Sequence, residues 1–358
     1  MSRIEALRAS MSEKGIDALL IEKRENYFYL TGFTGEDSFC VVTGDSIHLI
    51  VDFRFTTQAE AEILKNACAC KVVEYSGDIN ETLKLLFYEL GVEKIGYDTA
   101  HMSCKRFADV KKAVNAVKFV DAAGLIEQLR LRKDISEITL INEAVNIADR
   151  AFNALLQHIR PGISELEVAA ELEFQMKKLG SSKPSFETII ASGERSALPH
   201  GTASGKTIRF GDALTIDFGA TFQGYCSDMT RTVFIGKVKP QLKRIYEIVL
   251  LAQQTAVAGC YAGLSGCEVD ALARDVIVGE GFGARFGHGT GHGLGLEIHE
   301  NPRISPRYKA SLEDGMVVTI EPGIYLPGIG GVRIEDVVVI DGTRPRVLTK
   351  TPKELLVV

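Results

Sequence analysis

At 358 residues the chain exceeds what one ordinary hydrophobic core supports, so two domains are expected. Its net charge of -6 and isoelectric point near 5.8 exclude the basic field that a nucleic-acid or anionic-membrane partner would need. Seven scattered cysteines argue for reduced thiols rather than a disulfide framework.

The opening MSRIEALRASMSEKG reads as a charged amphipathic helix without a signal-peptide apolar core, which predicts a cytoplasmic protein. Strands follow at 18–21, 38–43 and 47–52, with Gly44-Asp45 as the hairpin turn between the last two. Helix and strand patterns then alternate: helices at 57–64, 81–90 and 105–114, strands at 71–75, 94–98 and 117–121. Residues 1–125 therefore read as an α/β domain. It has no glycine-rich phosphate loop and no histidine cluster, which suits a packing or substrate-gating role. Cys68 and Cys70 fall in what reads as a strand, ACKVVEY, and are taken as structural.

A charged helical stretch at 125–132 leads to a long amphipathic helix at 136–158, and the second domain is placed at 133–358. This region resembles itself. Gly162-Ile163-Ser164 before Glu167-Val168 recurs as Gly263-Leu264-Ser265 before Glu268-Val269, each with serine as a helix N-cap. Thr215-Ile216-Asp217-Phe218-Gly219 recurs as Thr319-Ile320-Glu321-Pro322-Gly323. A repeat of about a hundred residues predicts two equivalent helix-helix-strand-strand units about a pseudo-twofold axis, with like strands meeting in one sheet.

Each half carries two acids across a glycine turn: Asp217 and Asp228 around Gln223-Gly224, Glu321 and Glu335 around 327–331. A hairpin can bring such a pair to one sheet face. Their neighbours are apolar, and an unpaired buried carboxylate costs several kcal/mol (of order 2–5) or becomes protonated. Arg231 and Arg333 are the local cations that could offset them, and Arg333 alternates onto the face of Glu335. Two arginines leave a surplus of negative charge, which divalent metal would remove. Between the two pairs lies GHGTGHGLGLEIHE, with His288, His292 and His299 among glycines too dense for a helix, so it reads as extended or looped. Four carboxylates and one imidazole balance two divalent cations, and hard oxygen donors with one nitrogen favour Mn²⁺, Co²⁺, Fe²⁺ or Zn²⁺. Such a pair can activate a water and hold a carbonyl oxygen, leaving other histidines for oxyanion and proton work.

Those segments resemble the pita-bread metallopeptidases, the family of Xaa-Pro dipeptidases (prolidases), aminopeptidase P and methionine aminopeptidases. The resemblance rests on SALPHG at 196–201, TIDFG and YCSDMTRT within 215–232, HGTGHGLGLEIHE at 288–300, EDGMVVTIEPGIY at 313–325 and GVRIED at 331–336. It implies an α/β N-terminal domain followed by an α+β pita-bread catalytic domain with an internal pseudo-twofold duplication. It further implies Asp217, Asp228, His292, Glu321 and Glu335 as ligands of two ions, Mn²⁺ or Co²⁺ foremost, with Asp228 and Glu335 bridging. His200 and His299 would contact substrate and His288 would be a further active-site histidine. Glu321 would take the proton of the water, with Tyr325 and Arg333 beside the substrate and a bridging carboxylate. The N-terminal domain points within the family to cleavage before proline, and the resemblance itself implies a homodimer. Prolidase action on a trans Xaa-Pro bond is the expectation, with aminopeptidase P as the alternative and Arg195 as one candidate reader of the product-side carboxylate. A creatinase-type amidinohydrolase and a non-catalytic binding module are the remote alternatives; neither fits five filled ligand positions.

Overall fold

The computed structural model describes residues 2–115 and 117–358. Its contacts divide the chain into Met1–Arg130 and Leu131–Val358.

The first unit runs α1 (Arg3–Glu13), β1 (Ala18–Ile21), α2 (Arg24–Thr31), β2 (Phe39–Thr43), β3 (Ile47–Asp52), α3 (Thr56–Lys65), β4 (Lys71–Tyr75), α4 (Ile79–Glu89), β5 (Lys94–Tyr97), α5 (Cys104–Ala113), β6 (Lys118–Asp121) and α6 (Leu125–Arg130). Its six strands form one mixed sheet in the order β4-β3-β2-β1-β5-β6. The β1-β2-β3 meander is antiparallel, and the outer strands add in parallel through helical crossovers, as the alternating pattern requires. Leu20, Val41, Ile50, Leu83, Phe87 and Ile95 close the core between sheet and helices. One helix is not read from the sequence, and one strand begins later than read. Residues 24–31 are helical although Tyr27, Phe28 and Tyr29 favour strands; the helix stops at Gly32, whose φ of 74° supplies the left-handed cap. The strand after α3 begins only at Lys71, so Cys68 and Cys70 lie in the turn before it.

The second unit begins with α7 (Ile135–Leu155) and α8 (Glu165–Lys178). There follow β7 (Ile189–Ser192), β8 (Ala213–Phe218), the short β9 (Thr221–Phe222) and β10 (Tyr225–Cys226), and β11 (Met229–Phe234). Then come α9 (Pro240–Ala258), α10 (Gly266–Gly279), β12 (Gly291–Gly293), β13 (Glu300–Ile304), β14 (Val317–Ile320), β15 (Gly323–Leu326), β16 (Gly330–Arg333), β17 (Asp336–Val339), β18 (Arg346–Val347) and β19 (Leu356–Val357). Helices α7 and α8 pack through Phe152, Leu155, Val168 and Leu172 on Leu214, Ile216 and Phe218 of β8. Helices α9 and α10 pack through Tyr246, Val249, Val269 and Ala273 on Val318, Ile320 and Val338.

The duplication is carried down to single bonds. Ser164 and Ser265 close matching capping boxes, each hydroxyl accepting from an N3 amide at 3.2 Å while Glu167 or Glu268 accepts from the serine amide. Gly162 and Gly263, at φ 98° and 96°, turn the chain before them. Like strands, however, do not share one sheet. They lie in two larger sheets, β19-β11-β8-β7 and β13-β12-β14-β17-β18, while β9-β10 and β15-β16 are separate two-stranded ribbons. At the join, one backbone bond from the Glu335 amide to the Thr230 carbonyl (3.2 Å) is followed by bonds through the Thr232 hydroxyl to the Arg333 amide and carbonyl. A side chain inserted between the backbones replaces the continuous ladder.

Because the two capping boxes are equivalent, Ser164→Ala and Ser265→Ala are each expected to lower unfolding free energy by about 1 kcal/mol. Urea midpoints measure this; a cost at one serine alone would contradict the equivalence.

Candidate active site

A cavity of about 490 Å³ in the second unit is lined by His200, Asp217, Asp228, His288, His292 and His299, and also by Glu321, Tyr325, Arg333 and Glu335. All ten residues that the sequence marks as metal-ligating, catalytic or beside the substrate therefore face one space, and Arg195 alone of the candidates does not.

The acids arrive on strand ends. Asp217 is the fifth residue of β8, opposite Thr230 of β11. Asp228 sits just before β11, past the Gln223-Gly224 turn, where both residues have positive φ (46° and 87°). Such a two-residue turn matches the strand twist. Glu321 directly follows β14, its amide bonded to the Thr290 carbonyl at 2.7 Å. Glu335 lies between β16 and β17.

His292 comes from β12, threaded between β13 and β14. The glycines around it have a steric cause: a Cβ on Gly291 would stand 1.9 Å from the Thr319 carbonyl oxygen, and one on Gly293 2.3 Å from that of Asn301. Only glycine lets three backbones approach so closely. The His292 Nδ1 lies 3.0 Å from the Gly293 carbonyl, so it carries the proton and donates. This turns Nε2 towards Glu321 Oε1 (3.3 Å) and Asp228 Oδ2 (3.5 Å). A ring nitrogen pinned by a backbone acceptor and aimed at carboxylates is how metal-ligating imidazoles are oriented.

Asp228, His292 and Glu335 each offer a ligand atom, all within 4.8 Å of one another. Glu335 Oε2 accepts from the Thr230 hydroxyl at 2.7 Å, whereas its Oε1 is buried with no hydrogen-bond partner among the described residues. A buried, unpartnered carboxylate oxygen beside two further acids and an imidazole fits a cation. The acidities agree. Burial, then the neighbouring acids, push Glu335 well above the usual carboxylate range. Burial likewise raises Asp228 to about 7 and raises Asp217, despite its arginine. Glu321 goes the other way: burial opposes it, but the His292 hydrogen bond and the positive charges around it hold the carboxyl at about 2. His292, disfavoured as a cation by burial, is carried to about 10 by Asp228 and Glu321. Its proton stands in for positive charge that the acids require.

A second chain of bonds fixes the rim. Arg333 donates from Nη2 to Asp217 Oδ2 (2.6 Å) and from Nη1 to the Tyr325 hydroxyl (2.8 Å). That hydroxyl, 2.9 Å from His288 Nε2, donates to it, while His288 Nδ1 donates to the Gly289 carbonyl at 2.8 Å. His288 is thus neutral, as its burial also favours. His299 stands edge-on to His292 with ring centroids 4.4 Å apart, and burial with the nearby charges of His292 and Arg303 lowers it to about 4. His200 lies at the exposed mouth.

Three pairings differ from the sequence reading. Arg333 serves Asp217 rather than Glu335, because β16 ends at Arg333 and alternation does not continue to residue 335. Arg231 turns away to Asp336 at 2.9 Å. Arg195 is held by the buried Glu165 and the Thr202 carbonyl, and does not line the cavity.

Two buried clamps carry no signal in the sequence. Glu165, at the start of α8, accepts from the amides and hydroxyls of Ser192 and Ser204, so it ties down both ends of the loop bearing His200. Asp270 of α10 accepts from the Thr290 amide (3.0 Å) and hydroxyl (2.8 Å) and pairs with Arg274, which donates to the His288 carbonyl (2.8 Å). Also unforeseen were the apolar wall, Phe186, Ile189, Pro199 and Ile298, and Arg303, the cross-strand partner of His292.

Residues 139–342 match the model of metallopeptidase family M24, and residues 3–132 match the creatinase/prolidase N-terminal domain. An Xaa-Pro dipeptidase of Pyrococcus horikoshii is 42% identical over 97% of this chain and 96% of its own length. The structure of an Xaa-Pro dipeptidase from Bacillus anthracis superposes with a TM-score of 0.96 at 46% identity, covering 99% of both chains. That of an X-Pro aminopeptidase from Thermotoga maritima gives 0.90 at 41%, covering 97% of this chain and 99% of its own.

Replacing Asp270 by Ala would leave Arg274 and the Thr290 amide without their shared acceptor, at an expected cost of about 3 kcal/mol. Asp270→Asn, which keeps an acceptor oxygen for Thr290, should cost less. Denaturant unfolding of both variants measures the difference, and equal costs would contradict the clamp.

Proposed function

The chain belongs to metallopeptidase family M24, and from that premise we propose that it hydrolyses the trans peptide bond preceding proline as an Xaa-Pro dipeptidase. The observation that carries this reading is one cavity in which a metal-competent cluster, an apolar wall and an uncommitted arginine stand together. Phe186, Ile189, Pro199 and Ile298 suit a pyrrolidine ring. The Arg303 guanidinium has no hydrogen-bond or carboxylate partner among the described residues, and it can take the free carboxylate that ends a dipeptide. A dedicated enzyme is needed because the Xaa-Pro bond is a tertiary amide without the N–H that most peptidases grip.

Asp217, Asp228, His292, Glu321 and Glu335 would hold two divalent cations, with Asp228 and Glu335 common to both. When bound, the ions supply Lewis acidity that lowers the pKa of a water and polarises the scissile carbonyl. Glu321, kept ionised beside His292, accepts the proton of the water. His299, kept neutral, donates to the developing oxyanion, and His200 at the mouth passes a proton to the departing proline nitrogen. His288, Tyr325 and Arg333 hold Asp217 in place. Mn²⁺ or Co²⁺ as the ion, a homodimer and a cytoplasmic location belong to the same reading; no helix among the described residues is long and apolar enough to cross a membrane. The Thermotoga relative keeps aminopeptidase P in view, whose substrates continue beyond proline.

Ala-Pro, Ala-Pro-Ala and Met-Ala-Ser assayed side by side with Mn²⁺ or Co²⁺ test the proposal. Cleavage of Ala-Pro foremost is expected; preference for the tripeptide would shift the reading to aminopeptidase P, and for Met-Ala-Ser would end it. Asp228→Asn and Glu335→Gln should each lose both metal equivalents and at least about 10²-fold in turnover. His200→Ala and His299→Ala should keep their metal while slowing hydrolysis by roughly 10²-fold or more. Metal analysis beside initial rates separates the two classes.

A further inference from the structure

The first unit holds a pair of thiols that the peptidase chemistry does not use. Cys68, Ala69 and Cys70 form the turn between α3 and β4, which Ala67 enters at φ 49°. The Cys70 amide donates to the Cys68 carbonyl at 2.8 Å, an i to i+2 bond that closes a three-residue turn. A turn so closed keeps its first and third Cα atoms within the window of about 4.4–6.8 Å that a disulfide spans. Both cysteines are half-buried, with the exposed Ala69 between them, so the turn lies at the surface. The three cysteines Cys40, Cys226 and Cys260 are buried.

The two thiols are unlike. The neighbouring Cys70 side chain lowers Cys68 to about 7 against the effect of burial, while the Cys68 thiol itself donates to the Leu30 carbonyl (3.8 Å) and the Cys70 thiol to the Lys71 carbonyl (3.7 Å). The closeness of Cys68, with burial, pushes Cys70 up. One sulfur is thus available as thiolate near neutrality, and a protonated partner stands beside it to resolve the product of its oxidation.

We propose that Cys68 and Cys70 are a redox-active dithiol, oxidised by a hydroperoxide to an intrachain disulfide and restored by a thiol reductant. The Cys68 thiolate attacks the peroxide, breaking its O–O bond; one oxygen leaves as hydroxide, which takes up the thiol proton as water, and Cys68 becomes a sulfenic acid. The Cys70 sulfur then attacks the Cys68 sulfur, its proton leaving with the sulfenic oxygen as a second water. Two sulfurs are oxidised by one electron each and the peroxide is reduced by two. A disulfide closing so small a ring is strained, which places it with labile bonds rather than structural ones.

The test uses the full chain, reduced, treated with stoichiometric hydrogen peroxide, alkylated and digested with trypsin. The peptide spanning residues 66–71 is expected to lose two hydrogens and carry no alkyl group, and to regain two alkylation sites after dithiothreitol. In Cys70→Ser, Cys68 should be trapped as sulfenic acid by a dimedone-type reagent, whereas Cys104→Ser should leave the 66–71 product unchanged. Two alkylated cysteines in that peptide after the peroxide is consumed, or a disulfide from either to Cys40 or to a second chain, would overturn the proposal. The wild-type mass measurement decides the matter even where a serine variant fails to fold.

Discussion

Four carboxylates brought into one cavity, three of them buried, repel one another and lose hydration, and the rest of the second unit answers that constraint. Arg333 neutralises one of them, Asp217, and among the described residues the imidazole of His292 is the one ring that meets Asp228 and Glu321, while Glu335 has only the neutral Thr230 hydroxyl. Without further positive charge the cluster must bind protons, which is what the raised carboxyls and the raised imidazole express. Evolution retains so costly an arrangement where the acids have a cationic partner, and the unpartnered Glu335 oxygen indicates where it belongs.

The duplication explains how the acids come together. Each half delivers one acid at the end of a strand, β8 or β14, and a second just before the strand that pairs with it, β11 or β17, so two similar units provide four. Their loops are governed in similar ways by different residues. Glu165 at the start of α8 fixes the segment carrying His200, and Asp270 one turn into α10 fixes the segment carrying His288. These acids occupy non-equivalent positions of the repeat, so the halves share an architecture but have acquired their clamps separately. The capping boxes, in contrast, are the same device twice.

Much of this was legible in the sequence because the signals were local. The Gln223-Gly224 turn sets the register that places Asp217 and Asp228, and the glycines flanking His292 announced a crowded backbone. Whatever depended on distant residues stayed hidden. The aromatic run of α2 is helical because tertiary packing overrides a strand preference. Arg333 finds Asp217 rather than its near neighbour Glu335, because β16 ends at Arg333 and its alternation does not reach residue 335. Arg303 faces the cavity only because β13 pairs with β12, a register no spacing rule would give. Glu165 and Asp270 look like ordinary helix acids until their partners, some 20 to 40 residues away, are seen.

The central claim is that this negative charge exists to hold two cations. Anomalous diffraction from crystals soaked in Mn²⁺ measures it most directly. The account predicts two peaks in the cavity, one within bonding reach of Asp217 and the other of His292 and Glu321, with Asp228 and Glu335 reaching both. A single peak, or none touching these five residues at full soaking, would contradict it.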